Sequence, residues 1–241
     1  SGRMDDTMIV ITSDHGDYLG DHWMGEKSLF HECSVKVPLI IYDPSPDADA
    51  ARGTVCDALV ESIDLTATFI DAAGGQVPDH IVEGKSLLPL VRGDVPEGWR
   101  DFAVSEFDYS ATPMGKNLDL APRECRLFMI ADKRWKFMHA EGGFRPMLFD
   151  MQNDPNELTD LGDDPAVSDT IDMMYERLGR WARRMSQRTT LSEQDILNMR
   201  GKSLRKGVLP FLYDGSEVKE ELTIKYRGAA AQNHLAPKAG E

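Results

Sequence analysis

Short apolar runs rich in β-branched residues alternate with a helical pattern in the first hundred residues. Residues 7–13 end abruptly in the polar residues 14–16, a pattern typical of a buried strand that enters a functional loop. Residues 37–42 form a second strand pattern, and residues 62–74 predict a helix that Ser62 caps. This alternation predicts a mostly parallel α/β sheet with flanking helices.

Shorter strand patterns follow from residue 102 onward and predict a small antiparallel meander. They span residues 102–107, 126–131, 135–138 and 147–149. A helix then begins at Asp164-Pro165 and carries one apolar stripe. The stripe consists of Val167, Ile171, Met174, Leu178, Trp181 and Met185. We therefore expect a small C-terminal antiparallel sheet packed against a terminal helix.

The predicted organisation has three parts. Residues 1–101 form part of an α/β core, residues 102–188 form the C-terminal subdomain, and residues 189–241 form an extended tail. The tail is rich in Ala, Gly and Pro near its end, so it buries little surface by itself, and we expect it either to stay mobile or to wrap a partner. Only six residues precede the first strand. A buried strand needs neighbours, and we therefore expect the chain to be part of a larger fold.

Composition excludes several classes of partner. The 241 residues carry 27 Lys and Arg against 41 Asp and Glu, a net charge of −14, which argues against nucleic acid as a primary partner. No apolar stretch reaches the roughly 18 residues that a membrane span needs. The cysteines, Cys33, Cys56 and Cys125, show no paired spacing, which favours reduced thiols and a cytoplasmic location.

The densest polar cluster lies directly after the first strand. Asp14 offers a carboxylate oxygen and His15 an imidazole nitrogen, which together make half a site for a divalent cation. Lys27 adds a positive charge that suits an anionic substrate. From spacing alone, the alternative is an ordinary capped turn followed by a solvated lysine.

A longer motif around this cluster resembles the sulfatase and phosphonate monoester hydrolase family of the alkaline phosphatase superfamily. The family pattern is D-H-G-x-x-x-G-D-H, a lysine twelve residues after the first histidine, and then [FY]-x-E-x-S-x-[RK]-[VI]-P-L-I. The matching residues are Asp14, His15, Gly16, Gly20, Asp21, His22, Lys27, Glu32, Ser34, Lys36 and Pro38. The resemblance implies an alkaline-phosphatase-like fold and hydrolysis of a sulfate, phosphonate or phosphate ester, a small anionic substrate. A looser resemblance of residues 189–241 to the extension of the phosphonate monoester hydrolases implies that this tail makes contacts in a homo-oligomer.

The resemblance also implies roles for individual residues. Asp14 and His15 become two ligands of one divalent metal (Ca²⁺, Mn²⁺ or Mg²⁺), and Lys27 becomes the catalytic residue that contacts the ester's non-bridging oxygens. His22 and His31 are candidates to contact these residues without touching the metal or the substrate, although a structural hydrogen-bonding role is favoured for both. The family's nucleophile, a formylglycine made within C-x-P-x-R, has no counterpart here. It is expected upstream, so the chain corresponds to a C-terminal half that is inactive alone.

Two alternatives stay open. Asp-His-Gly also occurs in two-metal phosphodiesterases of the same superfamily, although Lys27 and the strand entry after it argue against that class. The missing nucleophile motif instead suggests a non-catalytic binding or oligomerising module that keeps the fold.

Overall fold

The strands predicted from the pattern form two separate antiparallel sheets. The computed structural model describes residues 2–184 and 192–199. The strands of this part are β1 (Ile9–Thr12), β2 (Leu39–Tyr42), β3 (Ala103–Asp108), β4 (Arg126–Ala131), β5 (Trp135–Ala140) and β6 (Met147–Asp150). Its α-helices are α1 (Glu32–Val35), α2 (Asp64–Ala72), α3 (Leu88–Val91), α4 (Pro113–Asn117), α5 (Ser168–Ala182) and α6 (Glu193–Met199). Short 3₁₀ turns span Met4–Asp6, Asp21–Trp23, Pro46–Ala51, Pro122–Glu124 and Pro165–Val167.

The two strands of the first sheet run antiparallel, whereas the pattern favours a mostly parallel sheet in this part of the chain. β1 pairs antiparallel with β2, with Ile9 opposite Tyr42. Helix α2 follows both strands, and the one α-helix among the described residues between them is the single turn α1, so the pair lacks the long helical crossover that usually joins parallel strands. The strands are also less buried than predicted, because Ile11 and Ile40 face each other with 55% and 60% of their surfaces exposed.

The second sheet confirms the antiparallel meander, with the strands in the order β3-β4-β5-β6. Side chains alternate between its two apolar faces, as the period of a strand requires. One face packs against α5, and its buried core consists of Phe128, Ile130, Phe137, Leu148, Met174 and Leu178. The opposite face packs against the residues around α1, and its buried core consists of Phe30, Tyr109, Cys125, Leu127, Met129, Met138 and Phe149.

Helix α5 forms as its stripe predicts. The Asp164 carboxylate accepts the N–H of Ala166 at 2.8 Å and so caps the 3₁₀ turn that leads into the helix. The predicted stripe residues from Val167 to Trp181 all pack into the core on this face of the sheet. Met185, the last predicted member, lies outside the described residues.

Helix α2 is fixed by its first residue rather than by the predicted Ser62 cap. The buried Asp64 carboxylate accepts the backbone N–H groups of Glu61 and Lys85, both at 2.8 Å. The same carboxylate pairs with both terminal nitrogens of the Arg100 guanidinium. This residue therefore ties the start of α2 to the segment that leads into the second sheet. Beyond the helix, Gly74 adopts a left-handed φ of 74°, as the end of a helix favours.

Contacts divide the chain into one unit up to Gln187 and a second from Arg188 onward. The second unit contains α6. The rest of the predicted tail lies outside the described residues. The described helices include none that is both long and apolar enough to cross a membrane.

Candidate functional site

The loop after β1 holds Asp14 and His15 in a fixed arrangement. The Ser13 hydroxyl donates to the carbonyl of His15 at 2.7 Å, and the His15 N–H donates to the Asp14 carboxylate at 3.1 Å. His15 Nδ1 donates to the carbonyl of Gly16 at 2.6 Å, because that oxygen can only accept. Nε2 of His15 takes no part in this bond and is available to other partners.

Lys27 returns to this histidine after a tight loop. The loop is closed by a hydrogen bond from the Tyr18 N–H to the carbonyl of Glu26 at 2.9 Å. Lys27 Nζ donates to Nε2 of His15, and the Asp14 carboxylate oxygen Oδ2 lies 3.4 Å from the same nitrogen. The structure thus brings together the three residues predicted to form the site.

Asp14 carries its charge at neutral pH. Its own backbone N–H donates to the carboxylate and lowers the pKa of Asp14, an effect that outweighs the small opposing effect of burial. The positive field of Lys27 acts in the same direction. The carboxylate is largely open to solvent, with 84% of the side chain exposed. Asp14 is therefore an accessible anionic oxygen beside the imidazole of His15.

Helix α1 supports the loop from behind. The Gly16 N–H donates to the carbonyl of Ser34 at 2.7 Å, and the buried Ser34 hydroxyl donates to the carbonyl of Lys27 at 2.9 Å. A Cβ atom on Gly16 would lie 1.9 Å from the carbonyl oxygen of Cys33. Only glycine fits against α1 at this point, so one short helix fixes both ends of the site.

The pair Asp14 and His15 fits part of a divalent metal site. Their donor atoms lie 3.4 Å apart, a separation that two ligands with bonds of roughly 2.0–2.5 Å to one ion can span. Nδ1 of His15 is already held by a carbonyl, the usual arrangement behind a metal-bound imidazole. Within residues 2–184 and 192–199, no group of three or more His, Cys, Asp or Glu side chains could hold an ion. The two residues fit as two ligands of a larger set.

His22 and His31 form a separate cluster around Tyr18. Their rings stack with centroids 4.0 Å apart, and the Tyr18 hydroxyl lies 2.8 Å from Nδ1 of His31. Burial, with the charges of His22 and Lys136, lowers the pKa of His31 to about 4, and burial raises the pKa of Tyr18 to about 12. Both side chains are therefore neutral, and the Tyr18 hydroxyl donates to His31. The ring contacts of these histidines run to Tyr18, to Phe149 and to each other.

The sequence patterns did not predict two buried residues near the site. Tyr18 is fully buried although it lies at an unassigned position inside the motif. Lys136 is also buried, and it forms ion pairs with Glu32 and Glu157. One signal for Lys136 was present, because it interrupts the apolar segment Trp135-Lys136-Phe137-Met138, which has no solvent-facing side.

Solved structures place this architecture in the alkaline-phosphatase-like fold of sulfatases. The chain aligns with the phosphonate monoester hydrolase of Agrobacterium radiobacter at a TM-score of 0.69 and 34% identity, covering 80% of this chain and 39% of that one. The corresponding enzyme of Silicibacter pomeroyi aligns at a TM-score of 0.71 and 30% identity, with the same coverage of both chains.

Residues 20–184 match the family model described as N-sulphoglucosamine sulphohydrolase, C-terminal. A multifunctional alkaline phosphatase superfamily protein of Trinickia caryophylli is 32% identical over 78% of this chain and 37% of its own length. An arylsulfatase of Clostridium perfringens is 31% identical over 73% of this chain and 34% of its own length. The chain therefore belongs to the sulfatase and phosphonate monoester hydrolase family and spans less than two-fifths of these relatives' length.

Proposed function

We propose that the protein containing this chain hydrolyses a sulfate, phosphonate or phosphate ester with the help of one divalent cation. The observation that carries the proposal is the convergence of the Asp14 carboxylate, Nε2 of His15 and the Lys27 ammonium at one point. Asp14 and His15 supply two ligands, and the bound cation would supply electrophilic assistance to the ester. Membership of a hydrolase family supports the same reaction class.

Lys27 has the role of balancing charge on the substrate. Its ammonium now lies against the imidazole lone pair of His15. With Nε2 of His15 engaged by a cation, Lys27 would turn its ammonium toward the non-bridging oxygens of the ester. A positive group fixed beside those oxygens stabilises the charge that develops during displacement. The nucleophile, expected to be a formylglycine, comes from outside this sequence in this proposal.

The test compares two aspartates of the same loop in the full-length natural protein. Asp14→Asn removes the anionic ligand. Asp17→Asn is the matched control, because among the described residues Asp17 accepts only the N–H of Leu19, at 2.8 Å on the exposed side of the loop. Metal content is measured together with turnover of an aryl sulfate, an aryl phosphonate monoester and an aryl phosphate ester. We expect Asp14→Asn to lose bound metal and turnover and Asp17→Asn to keep both.

Equal metal content and turnover in the two variants would refute the role of Asp14. Two bound ions per site would favour the two-metal phosphodiesterase alternative. Absence of turnover of every ester by the unmodified protein, with metal still bound, would favour the non-catalytic module.

We also propose that residues 189–241 contribute contacts between copies of the protein and that the protein is cytoplasmic. Its three cysteines, Cys33, Cys56 and Cys125, are all free, which supports a reducing compartment. Deleting residues 189–241 and measuring the mass in solution tests the first point. An unchanged oligomer would refute it.

A further inference from the structure

A lysine is buried in the second sheet, on the face that packs against α1. Lys136 lies on β5 with 1% of its side chain exposed. Its neighbours on this face include Met138 and Phe149, which belong to the same apolar core as Phe30. An ammonium group is almost never buried in this way unless carboxylates compensate its charge.

Two glutamates provide that compensation. Lys136 Nζ donates to Oε1 of Glu32 at 2.6 Å and lies 2.8 Å from Oε1 of Glu157. The second carboxylate oxygen of Glu157 accepts the backbone N–H of Glu32 at 2.6 Å. In the described part of the chain, Oε1 of Glu157 accepts no aligned hydrogen bond, so the ammonium charge alone holds it. Lys136 thus links β5 to Glu157 and to Glu32, the first residue of α1.

The backbone of Glu157 and the charge of Glu32 indicate that surrounding contacts hold both glutamates in place. Glu157 adopts a φ of 55°, in the left-handed region that a residue with a side chain rarely enters. Burial raises the pKa of Glu32, but the hydrogen bonds and charges of Lys136 and, to a smaller extent, of Lys36 outweigh it and leave the pKa lowered. Glu32 is therefore ionised and bound to Lys136 at neutral pH.

A continuous path runs from this cluster to the candidate site. Glu32 begins α1, and Ser34 lies two residues later in the same turn. The Ser34 carbonyl accepts the N–H of Gly16, next to His15, and the Ser34 hydroxyl donates to the carbonyl of Lys27. A shift of α1 therefore moves both ends of the site together.

We propose that Lys136 is a positioning residue for the hydrolytic site, which it serves by anchoring α1 to the second sheet through Glu32 and Glu157. This inference rests on the proposed function, because the site it positions is the one that Asp14, His15 and Lys27 form. Lys136 itself touches none of the reacting groups. Its effect is on the geometry in which His15 and Lys27 meet the substrate.

The experiment replaces Lys136 in the full-length natural protein and uses a matched ion-pair variant on the other face of the sheet. Lys136→Met keeps a long, unbranched side chain and removes the charge. Arg177→Met is the control, because Arg177 pairs with Asp132 from α5 and is mostly buried. The two readouts are the separate values of kcat and KM, and the hydrogen exchange of the Gly16 and Glu32 amides measured by mass spectrometry.

We expect Lys136→Met to lower kcat by about ten- to a hundredfold with little change in KM, because a misplacement of about 1 Å has effects of this order. The Gly16 and Glu32 amides exchange faster in the same variant. Arg177→Met leaves kcat and both exchange rates at their original values. Lys136→Arg, which keeps the charge, recovers a substantial part of kcat.

Unchanged kcat and unchanged exchange at Gly16 in Lys136→Met would overturn the inference. Equal losses in Lys136→Met and Arg177→Met would overturn it too, since they would show only general destabilisation. If Lys136→Met does not fold, Glu157→Gln is used instead, and the same faster exchange of the Gly16 and Glu32 amides is expected. If the unmodified protein hydrolyses no ester, the proposed function fails, and the exchange of Gly16 alone decides whether Lys136 controls the loop.

Discussion

A single methyl group at position 16 tests how tightly the loop of Asp14 and His15 is held. In Gly16→Ala, the new Cβ would lie 1.9 Å from the carbonyl oxygen of Cys33 and 2.9 Å from its carbonyl carbon. Real Cβ atoms essentially never approach other atoms closer than 3.0 Å, so loop and helix must separate by about one ångström. Both carbonyl atoms that the new Cβ would meet belong to the backbone of Cys33, so no side-chain rotation can relieve the contact.

The magnitude follows from two losses. Over-packing of this kind costs about 1–3 kcal/mol, and the hydrogen bond from Gly16 to Ser34 adds about 1 kcal/mol, so stability falls by about 2–4 kcal/mol. Displacing reacting groups by about one ångström also lowers kcat/KM by about a hundredfold. The loss of activity is expected even below the temperature at which the variant unfolds.

The assay combines urea unfolding with steady-state kinetics on the full-length protein. Gly25→Ala serves as the matched control, because Gly25 belongs to the same loop, and a Cβ there meets no atom within 4 Å. We expect the control to retain stability and turnover. Normal kcat/KM in Gly16→Ala would show that the contact with α1 does not position the site.

Three further predictions concern charge and buried hydrogen bonds. Lys27→Ala lowers kcat/KM by about a hundredfold or more and leaves thermal unfolding unchanged, since Lys27 is exposed; normal kinetics would remove it from the site. The hydrogen bond from Arg134 holds the pKa of Asp150 at about 2, against 3.8 ordinarily. The stabilisation that the Asp150 carboxylate contributes is therefore complete above pH 4 and is lost as the pH falls toward 2. The free energy of unfolding in urea should depend less on pH across this range in Asp150→Asn than in the unmodified protein. An identical pH dependence in the two proteins would contradict the assignment. Tyr18→Phe leaves Nδ1 of His31 buried without its donor and costs about 1–3 kcal/mol in urea unfolding; an unchanged midpoint would refute the hydrogen bond.

Local periodicity made the second sheet predictable. Strand β4 occupies the predicted residues 126–131, and the other strands of the meander differ from prediction by a few residues at their ends. The stripe from Val167 to Trp181 packs as predicted because its spacing of three and four residues puts every member on one helix face. These features depend on neighbours in sequence, which the pattern contains.

Features that depend on distant partners were not predictable in the same way. The antiparallel pairing of β1 and β2 depends on the path of the chain between them, which alternation of strand and helix does not specify. Lys136 and Glu32 are 104 positions apart, and nothing local to either residue identifies the other. In the site, the role of Lys27 could be proposed only from a resemblance, because spacing alone favoured a solvated lysine.

The loop between His15 and Lys27 explains in physical terms why that resemblance is informative. Between its closing residues Tyr18 and Glu26, the backbone enters the left-handed region at several residues that carry side chains, including Leu19, His22 and Trp23. Such backbone persists only where surrounding contacts enforce it, and here the buried Tyr18 and α1 provide them. A strained loop of fixed length returns the lysine to the histidine after twelve residues. The motif therefore records a backbone geometry as well as a set of side chains, and the distance from Lys27 to His15 follows from that geometry.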